Sequence, residues 1–120
     1  SDSMQALDAA KRLAVAAGAV VVVSGGTDII TDGETVLTVA NGDPRMQKIT
    51  RTGCSVSALC AAFAAVNEDA LSAAWEAMAL MGVAGERAAA MTKGTASMQN
   101  AIIDELSTFD PEEYASLIRC

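Results

Sequence analysis

Ala19-Val20-Val21-Val22-Val23 constrains the fold of this chain more than any other segment. An unbroken β-branched run has no polar side to turn toward water. It fits a strand covered on both faces, the kind found in parallel sheets. The residues before it complete a unit. Ser3 is placed to cap a helix starting near Met4. Ala6, Ala9, Ala10, Leu13, Ala14 and Ala17 recur at helical spacing, and Gly18 is the expected stop. Helix, short loop and buried strand are the αβ half of an α/β unit.

Ser24-Gly25-Gly26-Thr27-Asp28 ends the run. Ile29-Ile30-Thr31 then leads into Asp32-Gly33, a hairpin-type turn. Thr35 to Val39 alternates like an antiparallel strand, and Asn41-Gly42-Asp43-Pro44 is a second turn cluster. Met46 to Thr50 is a candidate short strand. The remainder reads as helical: residues 54–66, then roughly Ala70 to Thr92 capped by Asp69 or the residues just before it. Gly82 and Gly85 mark close packing of that helix against a neighbour. Lys93 to Ser97 reads as a loop, Met98 to Leu106 as a further helix, and Asp110-Pro111 as the start of a last helix through Ile118. Only one of these strands is clearly of the central parallel kind, and so small a sheet leaves its edges open. Either another polypeptide supplies strands, or the chain is part of a longer protein.

At 120 residues the chain is long enough for one domain with a real core. Apolar residues make up 52% but aromatics only 3%, so that core must rest on small side chains and close helix contact. A net charge of −7 argues against a nucleic-acid partner, whose phosphates need a basic face. The apolar run from Leu13 to Val23 is too short to span a bilayer and is interrupted by Gly18. Ser1-Asp2-Ser3 does not resemble a secretory leader. Cys54, Cys60 and Cys120 are odd in number, lack a C-x-x-C spacing and have no histidine beside them. They point to free thiols in a reducing, cytoplasmic setting and away from a zinc site.

The chemistry is expected at Thr50-Arg51-Thr52-Gly53-Cys54-Ser55. A tight turn there passes at once into a small-residue helix. The first turn of a helix offers unpaired N–H groups and the positive end of the peptide dipole, which suits phosphate. Cys54 sits at that end, where a thiolate is stabilised. A plain strand-to-helix connection has the same look, so spacing alone leaves both readings open.

The residues in order carry a further signal. Val20 to Gly25, Asp28, Thr31-Asp32-Gly33, Asn41 to Met46, Lys48-Ile49-Thr50, Thr52 to Ser55, Gly85 to Ala88 and Gly94 to Ser97 together resemble the C-terminal half of hydroxyethylthiazole kinases, a family of ribokinase-like fold. The resemblance runs nearly end to end. It implies an α/β, ribokinase-like architecture, here the C-terminal part only: a few strands of a mostly parallel sheet packed by several helices. Residues 1–120 are then one portion of a single kinase domain. The implied reaction moves the γ-phosphoryl of ATP, carried with Mg2+, to the hydroxyl of 4-methyl-5-(2-hydroxyethyl)thiazole in thiamine salvage. The family's trimers have active sites at subunit interfaces. The missing half would hold most of the thiazole pocket and the acidic residues near magnesium, so the isolated piece is expected to be inactive.

By the same resemblance, Cys54 faces the substrate hydroxyl and accepts its proton. Thr52, Gly53 and the N–H groups of Cys54 and Ser55 hold the transferring phosphoryl, and Ser24 contacts ATP. No residue of the chain is assigned to a metal. The family's loop usually reads Gly-x-Gly-Cys, and Arg51 stands at the first glycine, whose backbone amide meets the thiazole. A side chain there is penalised if the loop needs positive φ, and it can crowd the pocket. Gly26 stands where many members carry glutamate. Two other readings follow: an impaired nucleotide-binding or oligomerisation module, or a kinase of another small alcohol. Cys60, Cys120, Met78, Met81 and Met91 read as core filler, Glu86-Arg87 as a packing or exposed pair, and Asp110, Glu112 and Glu113 as a solvated first helical turn.

Overall fold

Sequence order becomes architecture around one central helix. The computed structural model describes residues 2–48 and 69–120. Helix α1 (Asp2–Ala17) begins slightly before the expected start and stops where Gly18 takes a φ of +62°, a conformation that costs glycine little. Strands β1 (Val21–Val23), β2 (Asp28–Thr31) and β3 (Val36–Val39) follow. A 3₁₀ turn spans Pro44–Lys48. Three helices complete the described chain: α2 (Ala70–Met91), α3 (Thr95–Thr108) and α4 (Pro111–Leu117).

The sheet has the order β1-β2-β3, and both ladders are antiparallel, with Val22 opposite Ile30 and Ile30 opposite Leu37. A mostly parallel set was the expectation. The connections explain the difference: Ser24–Thr27 and Asp32–Thr35 are hairpin-length, whereas a parallel partner needs a crossover of about a dozen residues. The valine run is nonetheless covered on both faces. Val20, Val22, Ile30 and Leu37 pack on α2 with Leu71, Ala74 and Met78. Helix α1 lies over β1 and β2 with Ala10 and Ala14 buried.

Helix α2 opens as the sequence suggests, with the Asp69 carboxylate accepting the Leu71 N–H at 3.1 Å. Every residue from Ala77 to Gly85 is buried, so this helix is apolar around its circumference and forms the core itself. One side meets the sheet. Another meets α3 through Met81, Ala88, Met98 and Ile102. The third meets α4 through Leu80, Val83, Ala84 and Tyr114. Its two glycines admit the segment that follows β3. A Cβ on Gly82 would lie 2.8 Å from the Asn41 Cβ, and one on Gly85 would lie 2.2 Å from the Met46 sulfur.

Four local expectations change. Met46 to Lys48 is not strand but the 3₁₀ turn, because Pro44 fixes φ and the Met46 N–H closes back on the Asp43 carbonyl at 3.0 Å; Ile49 and Thr50 lie outside the described residues. The Lys93–Ser97 loop is shorter than expected, since α3 already starts at Thr95 with Gly94 as its cap. Met91, the last residue of α2, is 62% exposed, while Met78 and Met81 are core as expected. Cys120 is exposed rather than buried, because it follows α4 past the last core contact. The helix expected over residues 54–66, and Cys60 within it, lie outside the described residues.

Candidate functional site

The candidate site residue that lies among the described residues is Ser24, in the turn at the end of β1. Ser24 is exposed immediately after Val23, at the strand's carboxyl end, where open α/β sheets present ligand-binding groups. The turn runs from Ser24 to Thr27 and returns at Asp28, the first residue of β2. Asp28 is buried at 7% exposure, opposite Val39 in the ladder. Its Oδ1 accepts the Gly25 N–H at 3.0 Å. Burial pushes the Asp28 carboxyl above the usual carboxylate range, and the Gly25 amide opposes that rise. Gly26 faces open space, so the departure from glutamate there leaves room for a larger side chain.

The hairpin beyond is held by its own side chains. The buried Thr31 hydroxyl donates to the Thr35 carbonyl at 2.7 Å and accepts the Gly33 N–H at 3.0 Å. Asp32 accepts the Thr35 and Glu34 amides, and these hold its carboxyl below the usual range.

Residues 41–48 precede the candidate loop in the sequence and are held by a cluster of polar contacts. Glu86, set within apolar α2, accepts the Gly42 N–H at 2.9 Å and an Asn41 Nδ2–H at 3.2 Å, and it pairs with Arg119. Burial alone would raise its carboxyl. Hydrogen bonds from Arg119, Gly42 and Asn41 outweigh that and hold it below the usual range. Asn41 also donates to the Leu117 carbonyl at 2.9 Å and accepts the Arg119 N–H at 2.6 Å. Arg45 donates to the Thr92 and Ala89 carbonyls at 2.8 and 2.5 Å, at the end of α2 where carbonyls lack helical partners. Glu86 and Arg87 do not pair with each other. Arg87 reaches Glu105 at 2.9 Å and Glu113 at 2.5 Å on α3 and α4. The expected solvated turn at Asp110 is therefore partly engaged: Asp110 caps α4 and Glu113 meets Arg87.

Of the residues assigned to chemistry, the structure places Ser24. Arg51, Thr52, Gly53, Cys54 and Ser55 lie outside the described residues, as does any contact between them and Ser24. The sequence reading missed Asp28, Asn41 and Glu86 as organisers. A carboxylate inside an apolar helix and an Asn-Gly pair facing it were available signals; their partner Arg119, far along the chain, was not.

Comparison with known proteins agrees over nearly the whole chain. The model of the hydroxyethylthiazole kinase family matches residues 1–112. A hydroxyethylthiazole kinase of Zea mays is 48% identical over 118 residues, covering 98% of this chain and 42% of the relative. That of Arabidopsis thaliana is 48% identical over 110 residues, covering 91% of this chain and 40% of the relative. The structure of a hydroxyethylthiazole kinase protein from Pyrococcus horikoshii OT3 superposes with a TM-score of 0.93 at 28% identity, covering 98% of this chain and 46% of that one. The chain spans less than half the length of these relatives. With its α/β architecture and an identity this high over nearly every residue, the chain belongs to the hydroxyethylthiazole kinase family.

Proposed function

We propose that residues 1–120 are the C-terminal portion of a kinase domain whose intact form phosphorylates the hydroxyl of 4-methyl-5-(2-hydroxyethyl)thiazole with ATP, in thiamine salvage. The observation that carries the reading is the 48% identity to a hydroxyethylthiazole kinase over 98% of the chain. The exposed Ser24 at the end of β1 supports it.

In this reading the substrate hydroxyl loses its proton to the Cys54 thiolate as its oxygen attacks the γ-phosphorus. The bond from that phosphorus to the bridging oxygen breaks, and ADP leaves. The amides of Thr52 to Ser55 hold the transferring phosphoryl, a stabilisation that grows with its developing charge. Ser24 contacts the nucleotide, and the Arg51 backbone meets the thiazole. Among the described residues no group of three histidine, cysteine, aspartate or glutamate side chains could hold a metal ion. The intact protein is a cytoplasmic trimer in this reading. Among the described residues no helix is long and apolar enough to cross a membrane.

The test is turnover of the intact protein with ATP and the thiazole alcohol, followed by phosphorus NMR. Cys54→Ala should lose most of the rate. An intact protein that forms no phosphorylated alcohol overturns the proposal. Arg51, at a loop position where the family usually has glycine, favours a second reading, an impaired nucleotide-binding module. Arg51→Gly decides it: a large gain in rate supports impairment, and an unchanged high rate excludes it.

A further inference from the structure

The turn that carries Ser24 is poorly determined by its own sequence. Two adjacent glycines, Gly25 and Gly26, follow the serine, and glycine has the most backbone freedom to lose. Neither glycine is held by steric need: a Cβ at Gly26 would meet nothing, and one at Gly25 only the Thr27 carbonyl oxygen at 3.6 Å. Yet the turn is fixed at one place. The Asp28 carboxylate reaches back and accepts the Gly25 N–H at 3.0 Å. That N–H belongs to the peptide plane joining Ser24 to Gly25. Fixing the plane restricts ψ of Ser24 and therefore how the turn that follows runs relative to the serine side chain.

The position of the acceptor is informative. Asp28 is 7% exposed, at a position where an uncharged acceptor would make the same bond without the cost of desolvating a carboxylate. It begins β2 and is locked in register opposite Val39, itself fully buried. The acceptor thus stands on a rigid strand, while the group it holds stands on a glycine-rich turn. A catalytic or binding side chain supported in this way keeps its geometry when free of ligand.

We propose that Asp28 is the positioning residue for nucleotide binding, acting through the Gly25 amide to hold the turn beside the Ser24 hydroxyl in its binding shape. This rests on the reading of Ser24 as an ATP contact. In this reading Asp28 acts through that amide and not on the nucleotide directly.

The experiment is calorimetric titration of the intact protein with MgATP, alongside KM and kcat for both substrates. The variants separate geometry from charge. Asp28→Asn keeps an oxygen where Gly25 needs it and removes the charge; Asp28→Glu keeps the charge and displaces the oxygen. Expected is ATP affinity within about twofold of wild type for Asp28→Asn, and a loss of about tenfold or more for Asp28→Glu and for Asp28→Ala. KM for the thiazole alcohol should stay unchanged in all of them. Equal ATP affinity in Asp28→Glu and wild type overturns the proposal, as does an Asp28→Asn variant as weak as Asp28→Glu. If Asp28→Ala fails to fold, the contrast between Asn and Glu still decides. Failure of the underlying reading looks different: Ser24→Ala would then bind MgATP as wild type does.

Discussion

Asn41 and Glu86 face each other across the close approach of the β3 exit to α2, with Asn41 Nδ2 3.2 Å from Glu86 Oε2. Their contact is possible because Gly82, one turn before Glu86, leaves no side chain in the way. Around the pair gather the Gly42 amide, the Leu117 carbonyl and both backbone and side chain of Arg119.

Replacing Glu86 by Gln should destabilise the fold by about 1–2 kcal/mol, the lower part of the range for charged hydrogen bonds because solvent reaches part of the carboxylate. Urea denaturation measures it. The pH dependence has a definite sign. The folded carboxyl lies below its ordinary value of 4.5, so its contribution is present above that value and is lost as pH falls below it. The stability difference between wild type and Glu86→Gln should shrink on acidification through that range; a constant difference down to the acid limit would contradict the assignment.

Gly82→Ala should cost more than Gly85→Ala. The added methyl at 82 meets Asn41 Cβ at 2.8 Å and Asn41 backbone at 3.1 Å, and Asn41 is tied at both ends. At 85 it meets the Met46 thioether, whose flexible chain can swing aside. We expect about 2–3 kcal/mol and about 1–2 kcal/mol respectively, from overpacking. Met46→Ala should recover part of the Gly85→Ala loss in a double-mutant cycle, and should recover none of the loss at 82.

Arg45→Met should fray the end of α2. Removing the guanidinium strips the Ala89 and Thr92 carbonyls of their donors. A loss of about 1 kcal/mol is expected. Amide exchange should quicken over residues 89–93 while the α2 start at Asp69 keeps its protection.

Tyr114 is the chain's one tyrosine, so its ionisation can be followed directly by ultraviolet absorbance. It is 4% exposed and donates to Glu105 at 2.5 Å. Burial first, then the Glu105 contact, pushes its phenol well above the ordinary value. Phenolate absorbance should therefore stay absent through pH 10.0, the ordinary value, and appear only at higher pH or with loss of folded structure. A reversible titration centred on that value in the folded protein would show that the contact does not form.

Much of this was legible in the sequence because it is local. Asp69 before an apolar run, Gly18 after an alanine-rich helix and Asp110-Pro111 each mark an end by backbone chemistry carried in adjacent residues. Pairing direction was not legible. Val20 to Val23 reports that both faces are covered, and that is equally true beside an antiparallel neighbour. Pro44 set the backbone of the residues after it, so Met46 lies in a 3₁₀ turn and not in a strand. Ser24 was singled out by the family resemblance, since by its place alone it is one more strand-end serine. The support beneath it could not, since Asp28 looked like one more polar residue in a turn until its burial and its bond to Gly25 were seen.

The final residues also bear on material far upstream. The Ala40 N–H donates to the Arg119 carbonyl, and the Asn41 amide oxygen takes the Arg119 N–H from 78 positions away. Whatever displaced the backbone at Arg119 would thus unstitch the exit from β3, so wear at one end of the fold would be felt as slack in the stretch that follows Val39.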